Sequence, residues 1–344
     1  MEIIAPRNTV NDDLATRIAS HMSDYQNNSF SDIDQEHVLK WSRQFDEDQT
    51  LVLQETNRIL QRTYYNETKI NSFITCVAGA NEITGPTPAL FWQQVSILDI
   101  QQDGSSQSYL INKLSQKVHA DYNVQLAVNT TRTHYIYLDD ILFSGNRVYN
   151  DIIEFISSYI FRDNYKITII LFGSFTYGHY VTNKRIVEFI RERNKNIIID
   201  IKHWVGHSYE NRLIRKNRSD VIWPEQETID TLVNQHHIGY INNFRYRVDD
   251  GALFDIFSRE RRSQFELAML KAGSKIIGYC QNPSRVMKPL GFSVFDGYGF
   301  GSVVFTYNNC PNNNPLAFWW GNPEANLYSP LRRWYPLMRR RTYE

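Results

Sequence analysis

From Phe73 onward, short apolar runs alternate with amphipathic stretches, the pattern expected of a parallel sheet with crossover helices. The runs Phe73 to Ala78, Val95 to Ile100, Tyr135 to Leu138, Ile167 to Phe172 and Ile197 to Ile201 are each bounded by turn or polar residues, as strands are. Between the last three the helices are legible. Val148, Ile152, Phe155, Ile156 and Tyr159 recur at spacings of three and four after Gly145, and Ile186, Val187 and Ile190 do so after Gly178. The stretch from Tyr135 to Ile201 therefore reads β-α-β-α-β.

The first seventy or so residues are polar and rich in helix formers, with Leu51, Val52, Ile59 and Leu60 at helical spacing. Beyond about His203 the rhythm gives way to a segment dense in Arg, Asn and aromatic residues, too apolar in sum to stay exposed. The expected organisation is a helical extension over residues 1–70, an α/β core over 71–205 and a C-terminal hood over 206–344.

Lys plus Arg and Asp plus Glu number 37 each among 344 residues, so bulk charge gives no reason to expect nucleic acid or an anionic membrane as partner. Cys76, Cys280 and Cys310 stand far apart without a Cys-x-x-Cys pair, the pattern of reduced thiols in a cytoplasmic protein. Met1 to Arg7 shows neither a charged leader nor an apolar stretch behind it, and no later apolar run reaches the length of a membrane span, so the expectation is a soluble cytosolic protein.

The chemistry concentrates in Tyr135-Ile-Tyr-Leu-Asp139-Asp140-Ile-Leu-Phe143-Ser144-Gly145-Asn146-Arg147. In an open parallel sheet, ligands bind beyond the carboxyl ends of the strands, where a loop leads into the next helix. Ser144, Gly145 and Asn146 fall at such a turn, where backbone N–H groups and a helix N-terminus favour phosphate and glycine permits close approach. The adjacent carboxylates Asp139 and Asp140 suit the hydroxyl groups of a ribose and, through a divalent cation, a bound diphosphate. An ordinary strand, acidic turn and helix start is the plainer explanation of the same run.

Position by position, Asp139, Asp140, Ser144 and Gly145 match the phosphoribosyl diphosphate motif, so the run resembles that of type I phosphoribosyltransferases. The resemblance implies that the acidic pair contacts the ribose hydroxyls, that residues 143–147 hold the 5′-phosphate, and that Mg²⁺ is met by Asp139 and Asp140 only indirectly, through the diphosphate. Two positions depart from it. Arg147 replaces the usual terminal hydroxyl residue, and Phe143 stands where salvage enzymes for 6-oxopurines place an acid that handles the base proton. Upstream, Asp103-Gly104-Ser105-Ser106-Gln107 follows a candidate strand and precedes the amphipathic run Tyr109 to Val118, and it looks like the short diphosphate loop of the same family. A turn with a helix cap explains it equally well.

Over the whole chain, the helical extension, the charged helix around Glu260, Arg262 and Glu266, and the run Tyr307 to Trp319 are similar to divergent phosphoribosyltransferase-like proteins of bacterial conflict systems, some encoded beside retron reverse transcriptases. That resemblance implies an antiviral toxic effector, held inactive by a partner such as a reverse transcriptase with its noncoding RNA or DNA. A non-catalytic ligand sensor, a structural subunit and a nucleobase salvage enzyme are the alternatives.

Other motifs lack their partners. Gly173-Ser174-Phe-Thr-Tyr-Gly178 has the outer glycines of a P-loop, but His179-Tyr180 stands where Lys-Ser/Thr is required, which leaves Gly173 and Ser174 as candidate pocket wall. Gly297 to Gly301 reads as a glycine-rich turn. His203 and His207 lack the Glu and third ligand of a metal site. Leu331 to Arg341 interleaves Arg with aromatic residues, as a solvated tail or as a contact for nucleic acid or protein.

Overall fold

The computed structural model describes residues 9–28, 33–102, 106–158, 164–193, 198–212, 219–224, 256–295 and 297–340. Along the chain the elements are α1 (Thr9–His21), α2 (Gln35–Ser42), α3 (Gln49–Thr63), β1 (Tyr64–Tyr65), α4 (Glu67–Gly79), α5 (Asn81–Thr84), α6 (Pro88–Gln94), β2 (Ser96–Leu98), α7 (Ser106–Tyr122), β3 (Ala127–Val128), β4 (His134–Leu142), α8 (Asn146–Ser158), β5 (Tyr165–Phe175), α9 (Thr176–Arg193), β6 (Ile199–Tyr209), α10 (Arg262–Ile277), β7 (Phe305–Thr306) and α11 (Leu316–Trp319). They fall into two compact units: residues 67–210, and residues 1–66 together with 211–344. The outer segments, expected as separate regions, thus share one unit.

The unit of residues 67–210 is the α/β core. Its five strands run parallel in the order β3-β2-β4-β5-β6. One face carries Tyr135, Tyr137, Ile167, Ile169 and Leu171, buried against Val148, Ile152 and Ile156 of α8 and Ile186 of α9. The continuous apolar character of β4 and β5 follows from helices on both faces, because each successive side chain then needs an apolar neighbour.

Phe73 to Ala78, expected as a strand, is helical. It belongs to α4, whose buried residues Ile70, Phe73, Ile74, Val77 and Ala78 repeat at three and four rather than two. Phe73 packs edge-on against Phe172 of β5, ring centroids 5.0 Å apart, so the segment covers the sheet instead of joining it. The two-residue β3 pairs with β2 and is too short to leave a periodic signal.

In the other unit, β1 pairs in parallel with β7. Trp41 and Trp334 both donate their indole N–H to the Ala317 carbonyl, at 2.8 and 3.0 Å. A buried ion pair joins Arg262 to Glu266 at 2.8 Å, and Glu55, fully buried, accepts from Arg261 Nε at 2.8 Å and from the Ser258 N–H at 3.0 Å. The arginine-rich end is not a solvated tail up to Arg340: Trp334, Leu337 and Met338 are buried, and Arg339 pairs with Glu324 at 2.7 Å. Gly301 has φ +73° and sits so close to the Ile222 carbonyl oxygen that a Cβ would fall 2.2 Å from it, which accounts for glycine in that turn. No helix among the described residues is long and apolar enough to cross a membrane.

Candidate active site at the carboxyl end of the central strand

Strand β4 lies at the centre of the sheet, with β2 and β5 beside it. It continues through the acidic pair: Asp139 pairs with Leu171, and Ile141 and Leu142 with Gly173 and Ser174 of β5. The chain then crosses Phe143, Ser144 and Gly145 and enters α8 at Asn146, the Tyr149 N–H donating to the Gly145 carbonyl at 2.9 Å. The sequence-derived run therefore occupies the strand-to-helix position expected of it.

Asp139 is 3 % exposed and Asp140 is half-buried. The Asp140 N–H donates to Asp139 Oδ1 at 2.9 Å, and the Ile141 N–H donates to Asp140 Oδ1 at 2.6 Å. Burial raises both carboxyls above their ordinary range, and for Asp139 the neighbouring Asp140 raises it further. Arg147 is exposed, and its positive charge opposes the rise at Asp139, Asp140 and Asp151. Two carboxyls that cannot easily both ionise are suited to hydroxyl donors, or to a ligand that brings a cation with it.

Gly145 is glycine for a reason the sequence reading did not supply. It has φ +78°, and a Cβ there would lie 1.6 Å from Thr182 Oγ1 of α9. Gly178 is its counterpart, since a Cβ on it would fall 1.8 Å from the Phe143 carbonyl oxygen. The turn and the first turns of α9 are thus in mutual close contact, and this packing, apart from any anion, demands glycine at both positions. Asn146 accepts from Arg185 Nη1 of α9 at 2.9 Å, and that guanidinium lies 3.6 Å over the Tyr149 ring. Phe143 stacks on Phe175, centroids 5.3 Å apart and planes at 25°, and Phe175 in turn meets Tyr209.

Gly173 and Ser174 lie within β5, paired to β4 on one side and to His207 and Ser208 of β6 on the other. The Ser174 hydroxyl is buried and has no hydrogen-bond partner among the described residues. The strand passes directly into α9 at Thr176, with no loop between Gly173 and the helix start.

The second candidate loop divides. Asp103, Gly104 and Ser105 lie outside the described residues. Ser106 opens α7, with its hydroxyl 3.3 Å from Gln101 Oε1. Gln107 turns into the core. It is fully buried, accepts from the Ile100 and Gln101 N–H groups at 2.9 Å each, and donates to the Leu138 carbonyl at 3.2 Å. The Gln107 side chain is therefore a clasp between α7, the end of β2 and β4.

Sequence reasoning missed Tyr137 and Asp151. Tyr137, on the same face of β4 as Asp139, donates to Asp151 Oδ2 of α8 at 2.7 Å and lies 3.4 Å from Asp139 Oδ2. The available signal was the spacing of four between Arg147 and Asp151, which puts them on one face of α8. His203 sits under α9 against His179, ring centroids 4.5 Å apart, and burial followed by the His179 charge lowers it to about 4. Among the described residues no group of three or more His, Cys, Asp or Glu side chains that could hold a metal ion is found.

No curated protein matches the chain. A family model described as PRTase-CE matches residues 38–340, most of the sequence and all of the α/β unit. With a five-stranded parallel sheet and an acidic strand end leading into a helix, the protein belongs to the PRTase-CE family, a phosphoribosyltransferase-like group.

Proposed function

We propose that the chain binds a ribose 5-phosphate group, as in phosphoribosyl diphosphate, at the carboxyl end of β4 and acts at its anomeric carbon by pentosyl transfer or N-glycosidic cleavage. The observation that carries this is the Asp139–Asp140 pair, raised by burial, at the one strand end that leads through a tight glycine turn into α8. Ribose hydroxyls would donate to these carboxyls, and the turn at Ser144 to Arg147 would take the phosphate. Mg²⁺ would come as a cation carried by the ligand's diphosphate beside the Asp139 and Asp140 carboxyls, where it would neutralise leaving-group charge. Positive charge developing at the anomeric carbon would be stabilised by the carboxylates without new covalent bonds to the protein.

A specific observation favours a second reading. Phe143 fills the position of the usual acid and is stacked on Phe175, so no side chain in the turn between Leu142 and Gly145 can transfer a base proton. A ligand-binding module without turnover fits that. The test is release of diphosphate from phosphoribosyl diphosphate and Mg²⁺ over a panel of bases and nucleotides. Release dependent on Asp140 supports the enzyme, and binding without release supports the module. The antiviral effector role, with a reverse transcriptase and noncoding RNA or DNA as partner in a cytoplasmic complex, rests on the family resemblance alone. Co-expression with such a partner that leaves growth and complex recovery unchanged would remove it.

A further inference from the structure

Asp139 and Asp140 adjoin in sequence but hold different places. Asp139 is buried, with Oδ1 taken by the Asp140 N–H and Oδ2 facing the Tyr137 hydroxyl. Asp140 is half-buried. A phenol has one proton to give, and at 2.7 against 3.4 Å it goes to Asp151 Oδ2 rather than to Asp139. The ring of Tyr137 is fully buried in the face that packs on α8, so its hydroxyl cannot swing elsewhere. Asp151 therefore fixes the direction of the Tyr137 hydroxyl, and that hydroxyl turns its oxygen toward Asp139. A protonated Asp139 can donate to that oxygen, whereas an ionised one would meet a lone pair. The charged groups facing this cluster are Asp140 from β4 and Arg147, Asp151 and Glu154 from α8.

From this geometry we infer that Tyr137 and Asp151 are positioning residues which anchor Asp139 as a buried support and leave Asp140 as the carboxyl that meets the ligand's hydroxyl groups. The inference rests on the ribose-phosphate reading above and narrows it: the two members of the acidic pair are not interchangeable. Neither Tyr137 nor Asp151 belongs to the motif match.

The test titrates ribose 5-phosphate calorimetrically into wild type, Asp140→Asn, Tyr137→Phe, Asp151→Asn and the Tyr137→Phe/Asp151→Asn double variant, over a pH series on either side of neutrality. Melting curves identify any variant that fails to fold, and Tyr137→Phe keeps the buried ring. Asp140→Asn is expected to abolish binding. The Tyr137 and Asp151 variants should each weaken it by a factor of roughly three to ten with a changed pH profile, and the double variant should be no weaker than either, because linked groups are not additive. A uniform loss at every pH, with the two effects adding independently, would overturn the positioning role. A ligand-free readout separates this from failure of the function itself. The isotope-labelled carboxyl resonance of Asp139 should move in both Tyr137→Phe and Asp151→Asn, and an unmoved resonance sinks the inference whether or not the sugar phosphate binds. Wild type that binds no ribose 5-phosphate sinks the proposed function, while the resonance still decides the positioning role.

Discussion

At the carboxyl ends of β2 and β4, neighbouring strands of one sheet, the chain passes from a parallel strand into a helix with different residues and different consequences. After β2, Gln107, Ser108 and Asn129 pair with the backbone or with Asp99, while Gln101 Nε2 is buried without a partner among the described residues. Gln107 binds two backbone N–H groups and one carbonyl, Ser108 donates to Asp99 at 2.8 Å, and Asn129 brackets Asp99 by accepting from its N–H at 3.0 Å and donating to its carbonyl at 2.8 Å. After β4, two carboxyls share a small volume and are raised by burial, with one exposed arginine as their nearest cationic influence. Side chains paired to the backbone in this way stabilise the fold. A turn that leaves charge poorly matched lowers stability in exchange for a place where a ligand can supply the match.

The largest expected effect probes how the β4 turn is built. Gly145→Ala should cost roughly 2–3 kcal/mol, since the new Cβ meets Thr182 and the residue keeps a positive φ. Thermal melting reads this, and an unchanged midpoint would mean that the turn does not pack on α9 as described. Gln107→Ala should cost about 2 kcal/mol through three lost hydrogen bonds, yet leave ribose 5-phosphate affinity unchanged well below the melting temperature. An affinity loss as deep as that of Asp140→Asn would erase the contrast between the two turns.

The smallest effect has the opposite sign. Because Asp139 is raised on folding, the native state binds more protons than the unfolded chain between the ordinary carboxylate range and the raised value, and stability falls as pH rises through that window. Asp139→Asn should therefore stabilise the protein by about 1 kcal/mol above neutrality, with the gain vanishing in acid below the unfolded range. Denaturant midpoints across pH test it. A destabilising substitution at every pH would show that the carboxyl is paired well enough to be a structural asset.

Much of this contrast could be read from residues. β4, β5, α8 and α9 were legible because β4 and β5 carry unbroken apolar runs and the helices repeat apolar residues at three and four. β6, expected to end at Ile201, runs on to Tyr209 through His203, Gly206, His207 and Ser208, which break its apolar pattern. The acidic pair and the glycine turn were legible because both lie within one short run. α4 was misread because the window that began at Phe73 omitted Ile70, the residue that completes its helical stripe. Gly145 was assigned to anion approach, whereas its tightest constraint comes from Thr182 on a distant helix, a contact with no local signature. Gln107, Tyr137 and Asp151 act through hydrogen bonds between elements, and spacing alone cannot choose such partners. The union of residues 1–66 with the C-terminal segment likewise rests on partners far apart in sequence, such as β1 with β7, Trp41 with Ala317 and Glu55 with Arg261.

The central claim, that the carboxyl end of β4 holds a ribose phosphate, is tested most directly by calorimetric titration of phosphoribosyl diphosphate with Mg²⁺ into wild type and the Asp139→Asn/Asp140→Asn double variant. Saturable binding by wild type that is lost in the double variant, with folding intact, is the predicted result. Equal binding by both proteins would contradict the assignment of the site.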